Sequence, residues 1–421
     1  MAAAINNRAT EIRFHVRTEN CGIVHLIDNE VYHYASISAS LGNDLCSNAF
    51  TNLADKTSFE PDKNTFSRQL DQSCIIDIEI AGRHYRLRYQ SLPENDGGYD
   101  VTMRIQPQGQ AGTVPSLEDL GFTPSSAAAL RRVADNPKGG VYITGPMGQG
   151  KTTTLYSLMY VPKEERKQYV LTFEDPVEYR QYGVTRVPVG LIGYENAVKR
   201  TLRMGAHRVL IGEIRDYTMG GMVSVLSQTG PKVFTSLHVN GANKCIDRLC
   251  GTEIRIPRQT MCDPDMVAGF AYQRLLPKLC DKCSRPATAA DLGADLIRDL
   301  DRLGVPLANM RLRNPAGCTN EDASPYCIRG RKGGQAVLEI VEPDEEYMRL
   351  MRNNLDLEAK DYWLGLCNSL ITEDDVTGKP ILANALYHVA LGVLDVRDVE
   401  KQLGYLRTFR FRTTAQKLKA A

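Results

Sequence analysis

Residues 141–153 carry the glycines and side chains that could hold a polyphosphate. They read V-Y-I-T-G-P-M-G-Q-G-K-T-T, an apolar run that leads into the pattern G-x-x-x-x-G-K-[ST]. Glycine lets backbone N–H groups turn toward one point, and a lysine ammonium can reach the terminal phosphates of a nucleotide. The pattern therefore predicts an ATP-binding loop formed by Gly145, Gly148, Gln149, Gly150, Lys151, Thr152 and Thr153.

The same stretch predicts a metal ion and a scaffold. The hydroxyl of Thr152 stands where this type of loop binds Mg²⁺. Helix-forming residues follow it, so we expect a strand, a loop and a helix in that order. A glycine-rich turn that matches by chance is the alternative, and the strand and helix patterns on either side argue against it.

Polar residues follow three further apolar runs. The runs cover residues 169–173, 209–211 and 233–237, and helical patterns separate them. Such alternation predicts a mainly parallel sheet with helices on both faces and a ligand site beyond the carboxyl ends of the strands. The residues expected at this edge are Glu174, Asp175, Glu213 and His238.

Four of the 11 cysteines have a spacing that suits a metal site. Cys280 and Cys283 form a C-x-x-C pair, and Cys318 and Cys327 follow, nine positions apart. Two thiolate pairs that bridge a loop suit tetrahedral Zn²⁺, so a structural zinc site is predicted, with unpaired buried thiols as the alternative. The odd total and the scattered positions disfavour a secreted disulfide framework.

The pattern of the chain divides it into four parts. A small α+β domain is expected first, with a hairpin whose turn lies at residues 20–22. A short stretch rich in Pro, Gly and Gln then predicts a linker, because it cannot build a packed face. The predicted parts are the α+β domain at 1–105, the linker at 106–115, the α/β domain at 116–345 with a tetracysteine loop at 275–335, and helices at 346–421.

Composition disfavours some classes of partner. The 51 basic and 50 acidic residues leave a net charge of +1, which gives no global field for nucleic acid or for an anionic membrane surface. No apolar run approaches the roughly 20 residues that cross a bilayer, and the N-terminus lacks a signal-peptide pattern. A cytoplasmic protein without direct nucleic-acid binding is therefore expected.

Three more motifs follow the phosphate loop. Residues 173–179 read F-E-D-P-V-E-Y, residues 212–216 read G-E-I-R-D, and residues 235–240 read T-S-L-H-V-N. Together with the loop they resemble the Asp box, the atypical Walker B motif and the His box of the type II secretion and type IV pilus ATPases. The resemblance extends over residues 75–345 and implies a RecA-like P-loop NTPase domain preceded by a PAS-like domain.

The resemblance also implies roles at the sheet edge. Glu213 matches the Walker B glutamate that acts as general base, with Mg²⁺ binding through water or helix capping as its alternatives. Glu174 matches an Asp box glutamate near the metal and the attacking water. His238 matches a histidine near the γ-phosphate that could report nucleotide state to a neighbouring subunit, whereas a lone histidine after a strand is usually a bonded polar group near a core.

Arginines of the first domain are similar to those of the family's hairpin, which reach the phosphates across a mobile domain boundary. Arg88 and Arg104 match best, and Arg86 matches less well. The alternative for each is an ordinary solvated strand face. If the likeness holds, closure of the first domain onto the second completes the site and couples hydrolysis to movement.

The implied function is an ATP-hydrolysing motor for assembly of a type IV pilus, including a conjugative one, or of a type II secretion pseudopilus. The family implies a homohexamer docked peripherally on an inner-membrane platform protein. Its zinc motif accompanies assembly ATPases, although there it ends in a second C-x-x-C, which this chain lacks.

Two other classes share the phosphate loop. One is a RecA-type motor acting on nucleic acid, which stimulation by DNA would reveal; the other is a small-molecule kinase, which phosphoryl transfer by a monomer would reveal.

Overall fold

The computed structural model describes most of the chain in two compact units. The described residues are 1–28, 30–56, 63–107, 114–159, 168–174, 184–188, 193–319, 324 and 326–411. The first unit comprises the described residues up to Pro107, and the second comprises those from Val114 onward. Asp175 of the predicted sheet edge lies outside the described residues.

The first unit is built on one antiparallel sheet with strand order β3-β2-β1-β7-β6-β5-β4. Buried and less buried residues alternate along β1 and β7, as expected of strands with one face on a core. The strands are β1 Glu11–Val16, β2 Asn20–Ile27, β3 Glu30–Ser38, β4 Ala54–Asp55, β5 Gln72–Ile80, β6 Arg83–Pro93 and β7 Tyr99–Pro107. The helices are α1 Ala2–Asn6 and α2 Ala39–Asn48, and a π-helical turn, Ala49–Leu53, follows α2.

Two local predictions in this unit need correction. The first hairpin turns at Thr18 and Glu19 rather than at residues 20–22, because Arg17 N donates to Asn20 O at 2.8 Å and the buried Cys21 already pairs with Val16. Strand β7 also continues through Gln106 and Pro107, two residues that the sequence placed in the linker.

The second unit is built on a seven-stranded sheet in the order β10-β9-β11-β12-β8-β13-β16. Neighbouring strands are parallel from β10 to β13, and β16 is antiparallel to β13, so the prediction of a mainly parallel sheet is confirmed. The strands are β8 Gly140–Thr144, β9 Val170–Glu174, β10 Val184–Pro188, β11 Arg208–Ile211, β12 Lys232–Leu237, β13 Val267–Leu279, β14 Arg285–Pro286, β15 Arg311–Leu312 and β16 Arg331–Val341. Strands β14 and β15 form a separate two-residue ladder.

Helices surround this sheet and continue after it. They are α3 Pro124–Asp135, α4 Lys151–Met159, α5 Tyr194–Met204, α6 Tyr217–Gln228, α7 Cys245–Cys250, α8 Arg258–Met261, α9 Ala289–Leu303, α10 Glu345–Arg352, α11 Asp356–Gly365, α12 Ile381–Ala390 and α13 Val396–Leu403, with 3₁₀ turns Ala242–Lys244 and Leu406–Thr408. Trp363 of α11 donates its indole N–H to Ile340 O of β16 at 3.1 Å, which ties the last helices to the sheet. Among the described residues, no helix has the length and apolar composition needed to cross a bilayer.

The central strands lack any alternation of burial. Every residue of β8, β11 and β12 is buried, which is typical of parallel strands covered by helices on both faces. Polar side chains are therefore expected at the strand ends rather than along the strands. Asp216, just beyond β11, caps α6 by accepting a hydrogen bond from Met219 N at 3.0 Å.

Candidate nucleotide site and cysteine cluster

The phosphate loop joins the carboxyl end of β8 to the start of α4. Gly145, Gly148, Gln149 and Gly150 lie in the loop, and Lys151, Thr152 and Thr153 form the first turn of the helix. Gly145 has φ 146°, and a Cβ there would lie 2.4 Å from the carbonyl oxygen of Gln273, so no other residue fits. The N-terminus of α4 follows directly on this loop, so the positive end of the helix dipole is directed toward it.

The ammonium of Lys151 is held against the loop that precedes it. Lys151 is only 7% exposed, and its Nζ donates to Gly145 O at 2.6 Å and to Pro146 O at 2.9 Å. The same nitrogen lies 3.3 Å from Nδ1 of His238. A phosphate oxygen that enters the loop would compete with these two neutral carbonyls for the N–H groups of Lys151. Because a phosphate oxygen is negatively charged, its hydrogen bond to the ammonium is stronger than that of a carbonyl.

Glu213 and His238 meet beyond the ends of adjacent strands, as the sequence predicted for this edge. His238 follows β12, Glu213 follows β11, and His238 Nε2 lies 3.0 Å from Glu213 Oε1. Arg215 also reaches the Glu213 carboxylate, at 3.2 Å. Both side chains of the central pair are partly exposed, so solvent and small ligands can reach them.

The neighbours of His238 decide what each ring nitrogen does. A lysine ammonium can only donate, so in neutral histidine Nδ1 accepts from Lys151 and Nε2–H donates to Glu213. In protonated histidine Nδ1–H donates instead to Gly145 O, which lies 3.1 Å away. Which group of the phosphate loop bonds His238 therefore depends on which ring nitrogens carry a proton.

Glu174 ends strand β9 and is almost fully buried. The hydroxyl of Tyr156, on α4, donates a hydrogen bond to its Oε1. Glu174 also lies beside Gly212, where a Cβ would be 3.7 Å from its Cα and its Cγ, so it adjoins the segment that carries Glu213. Sequence reasoning treated Tyr156 only as a helix former, because a contact between α4 and β9 leaves no trace in the local pattern.

A second residue that sequence reasoning missed is Gln273 of β13. Its Nε2 donates to Gln149 O at 2.6 Å, and its Oε1 accepts from Thr154 Oγ1 at 2.9 Å. In return, Gln149 Oε1 accepts from Leu275 N at 2.7 Å. A polar residue within an otherwise apolar buried strand is the signal that could have marked Gln273.

In the first unit, Arg88 and Arg104 stand directly opposite each other on β6 and β7. Directly opposed residues place their side chains on the same face of a sheet, so two half-buried arginines lie side by side. Arg86 differs, because its guanidinium bonds both carboxylate oxygens of Asp77, at 2.8 and 2.9 Å. This bidentate ion pair favours the alternative stated for Arg86 from the sequence, namely a residue on an ordinary solvated face of a strand.

The four patterned cysteines converge after the end of β13. Cys280 and Cys318 have their Sγ atoms 3.6 Å apart, Cys283 and Cys327 have theirs 3.7 Å apart, and all four Sγ atoms lie within 4.8 Å of one another. Tetrahedral Zn²⁺ with four thiolates requires sulfurs about 3.8 Å apart, whereas a disulfide requires about 2 Å. The cluster therefore fits a tetrahedral metal, and the extra residues between Cys318 and Cys327 do not prevent it.

Local contacts hold this cluster in place. The pKa of the Cys280 thiol is lowered: burial opposes the shift, but the backbone N–H groups of Lys282 and Cys283 stabilise the thiolate. Cys280 N donates to Gly330 O at 2.9 Å, and the buried Arg331 pairs with Asp398 of α13 at 2.7 Å. The remaining cysteines lie outside any group of potential metal ligands found among the described residues: Cys21, Cys46, Cys74, Cys245, Cys250, Cys262 and Cys367.

A mainly parallel sheet, a G-x-x-x-x-G-K-T loop between β8 and α4, and acids beyond the adjacent strands define a P-loop nucleotide-binding class of α/β domain. The family described as Type II/IV secretion system protein matches residues 1–370, so the chain belongs to that family. The resemblance stated from the motifs is thereby confirmed.

Individual relatives agree with this assignment. Type II secretion system protein E of Pseudomonas aeruginosa is 30% identical over 290 residues, which cover 68% of this chain and 54% of that protein. Type IV pilus assembly ATPase PilB of Acinetobacter baylyi is 26% identical over 331 residues, which cover 76% of this chain and 54% of that protein. The chain thus spans about half the length of the curated relatives it matches.

Solved structures share the fold. The ATPase DotB of Legionella pneumophila superimposes with a TM-score of 0.62 and 18% identity, covering 95% of this chain and 93% of that one. The pilus retraction motor PilT with bound ADP gives a TM-score of 0.58 and 17% identity, covering 95% and 94% of the two chains. At this identity the likeness concerns the fold alone.

Proposed function

We propose that this chain is an ATP-hydrolysing motor that drives assembly of a type IV pilus or a type II secretion pseudopilus. The observation that carries the proposal is the contact of the phosphate-loop Lys151 with His238, which in turn bonds Glu213. It brings a phosphate-binding cation and a carboxylate that can accept a proton to one edge of the sheet. Membership of the secretion family supports the biological setting.

Each residue of the site has a role in this proposal. Lys151 and the loop N–H groups bind the phosphates of ATP, the Thr152 hydroxyl ligates Mg²⁺, and Glu213 orients and deprotonates the attacking water. Glu174, held by Tyr156, stands beside this group and orders water near the metal. Mg²⁺, when bound, would supply positive charge that stabilises the negative charge developing on the phosphate. His238 exchanges its bond to the phosphate loop as the nucleotide changes.

Arg88 and Arg104 supply positive charge to the transition state in this proposal, from a first unit whose PAS-like character is also proposed. Their side-by-side placement supports it, since two guanidinium groups on one face of the sheet can together stabilise negative charge that develops on a phosphate. A homohexamer docked on an inner-membrane platform protein, at the cytoplasmic face, is the assembly that such a site would serve.

The cysteine cluster is proposed to hold one structural Zn²⁺ through Cys280, Cys283, Cys318 and Cys327. The spacing of the four sulfurs supports this assignment. The metal, when bound, would fix the loop after β13 and has no step in hydrolysis. Metal binding to thiolates would contribute directly to the folding free energy of this loop.

The experiment that tests the function compares Lys151→Ala with Lys138→Ala. Lys138 is an exposed lysine paired with Asp265, so its loss controls for removing a charge. We expect Lys151→Ala to bind no ATP at ordinary Mg²⁺, whereas wild type and Lys138→Ala bind and hydrolyse it. Retained affinity in Lys151→Ala would contradict the site.

The setting needs its own measurement. We expect hydrolysis to be stimulated by the cytoplasmic domain of a platform protein and not by DNA, and a nonhydrolysable nucleotide to favour particles of six chains. Stimulation by DNA alone would favour the nucleic-acid motor instead. Monomers that transfer phosphate to an acceptor other than water would favour the kinase.

A further inference from the structure

Gln273 is a buried glutamine whose side chain serves the phosphate loop. It lies in the middle of β13, the strand that pairs with β8, and it is 2% exposed. Burying a primary amide destabilises a protein unless its donors and acceptors are bonded. Both of its described partners, Gln149 and Thr154, belong to the loop or to the helix that follows it.

The contacts between strand and loop are reciprocal. The side chain of Gln273 binds the main chain of Gln149, and the side chain of Gln149 binds the main chain of Leu275, two residues further along β13. Thr154 adds a third bond from α4 to Gln273. Gly145, at the other end of the loop, approaches the main-chain oxygen of Gln273. One strand segment thus touches both ends of the loop.

The bond to Gln149 O fixes the direction of an N–H group. The carbonyl of Gln149 and the N–H of Gly150 belong to one planar trans peptide, so they point in opposite directions. Because Gln273 Nε2 holds the carbonyl toward β13, the Gly150 N–H points away from β13. This N–H belongs to the glycine that immediately precedes Lys151, within the phosphate-binding pattern.

We propose that Gln273 is a positioning residue that keeps the phosphate loop in the shape that binds a nucleoside triphosphate. The proposal rests on the proposed nucleotide function, because it concerns how that site is prepared. Gln273 acts through Gln149 and Gly150 rather than by touching the nucleotide. A rigid loop spares the ligand the cost of ordering it, so the effect falls on affinity.

The test is Gln273→Met, which keeps the length of the side chain and removes its hydrogen bonds. Gln335→Met is the matched control, because Gln335 is a buried glutamine of β16 whose amide bonds Gly121 O instead of the phosphate loop. We expect Gln273→Met to raise the Kd and KM for ATP by about tenfold, with a smaller change in kcat, as befits the loss of its buried hydrogen bonds to Gln149 O and Thr154. Gln335→Met should leave all three constants near those of wild type.

Amide hydrogen exchange of the nucleotide-free protein separates this proposal from the proposed function. We expect faster exchange across residues 145–152 in Gln273→Met and wild-type rates in Gln335→Met. If wild type binds no ATP, the proposed function fails, and the exchange rates still decide whether Gln273 orders the loop. Wild-type exchange together with wild-type affinity in Gln273→Met would overturn the positioning role, even if thermal stability had fallen.

Discussion

The imidazole of His238 and the carboxylate of Glu213 bond to each other across the ends of two adjacent parallel strands, with 3.0 Å between Nε2 and Oε1. Lys151 Nζ lies 3.3 Å from the other ring nitrogen, so the three side chains form a hydrogen-bonded network from the phosphate loop to the end of β11. In such a network, a change of charge on one side chain alters the hydrogen bonds of the other two.

Glu213→Gln tests whether this carboxylate accepts a proton from water. Glutamine keeps the side-chain length and can still accept a hydrogen bond from His238, but it has no basic oxygen. We expect ATP affinity to stay within about threefold of wild type and kcat to fall by about 100-fold or more, the range for loss of a general base. Nucleotide titration and steady-state hydrolysis measure the two quantities.

Glu253→Gln is the matched control for this charge change, since Glu253 is exposed and pairs with Arg248 of α7. Its kcat should equal that of wild type. Near-normal hydrolysis in Glu213→Gln would show that Glu213 is only a hydrogen-bonding partner of His238, and the search for the base would move to Glu174.

Arg104→Gln should separate activity from stability in the first unit. Arg104 faces Arg88 on β6 and Glu11 on β1, so its loss removes one like-charge and one opposite-charge cross-strand pair, and the free energy of unfolding is expected to change by less than about 1 kcal/mol. Glu11, the neighbour of Arg104 on β1, keeps its ion pair with Arg13 at 2.7 Å. If Arg104 supplies charge to the transition state, kcat falls by at least about tenfold although the variant stays folded.

Denaturant unfolding and steady-state hydrolysis of the same preparation check this combination. Arg83→Gln, at the exposed start of β6, controls for loss of an arginine from that strand. Unchanged turnover in Arg104→Gln and in Arg88→Gln would leave a plain hydrolase without a cross-unit arginine.

The sequence predicted the parallel sheet and its polar edge because both depend on local pattern. The run from Val141 to Thr144 is apolar without alternation, and Glu213 and His238 each follow such a run, so chain order alone placed them at one edge. The convergence of Cys327 with the other three cysteines could not be read from spacing. It depends on contacts between residues far apart in the chain, and the spacing between Cys318 and Cys327 is not that of a known motif.

Sequence patterns could not predict contacts between elements that are far apart in the chain. Gln149 and Gln273 are 124 positions apart, and they meet because β13 happens to pair with β8. Tyr156 reaches Glu174 for a similar reason, since α4 packs over the sheet that contains β9. Periodicity assigns such residues to a helix or a strand, but only the strand order shows which of them touch.

Cys280→Ser tests the metal proposed for the cysteine cluster. Serine is a poor ligand for Zn²⁺ in a thiolate site, so we expect purified wild type to carry about one zinc per chain and Cys280→Ser to lose most of it. Elemental analysis gives the metal content, and circular dichroism reports folding. Cys250→Ser is the control, because Cys250 is half-buried and lies outside the cluster. A metal-free wild type that stays fully folded would rule out a structural zinc.

Lys232→Met is expected to stabilise the second unit, and to do so in a pH-dependent way. Lys232 opens β12, is 7% exposed, and donates from Nζ to Lys138 O at 3.0 Å. The pKa of Lys232 is lowered to about 7, chiefly by burial and then by the positive charge of Arg208, with Asp135 offsetting part of the shift. Between about pH 7 and the ordinary lysine pKa of about 10.4, the unfolded chain therefore binds a proton that the native chain does not.

The sign of the pH effect follows from that proton. The free energy of unfolding of wild type rises with pH through this window, because the unfolded state is the more protonated one, and below about pH 7 the native state bears the full cost of a buried ammonium. Lys232→Met removes this cost, so its gain over wild type should be greatest at pH 6 and should be smaller at pH 9.5 by at most about 3 kcal/mol. Urea unfolding at several pH values measures it, and Lys138→Met, which changes an exposed lysine, should show no such trend. A gain that is equal at pH 6 and pH 9.5 would mean that Lys232 keeps an ordinary pKa in the folded protein, and that Lys138 O and solvent satisfy its ammonium at no cost.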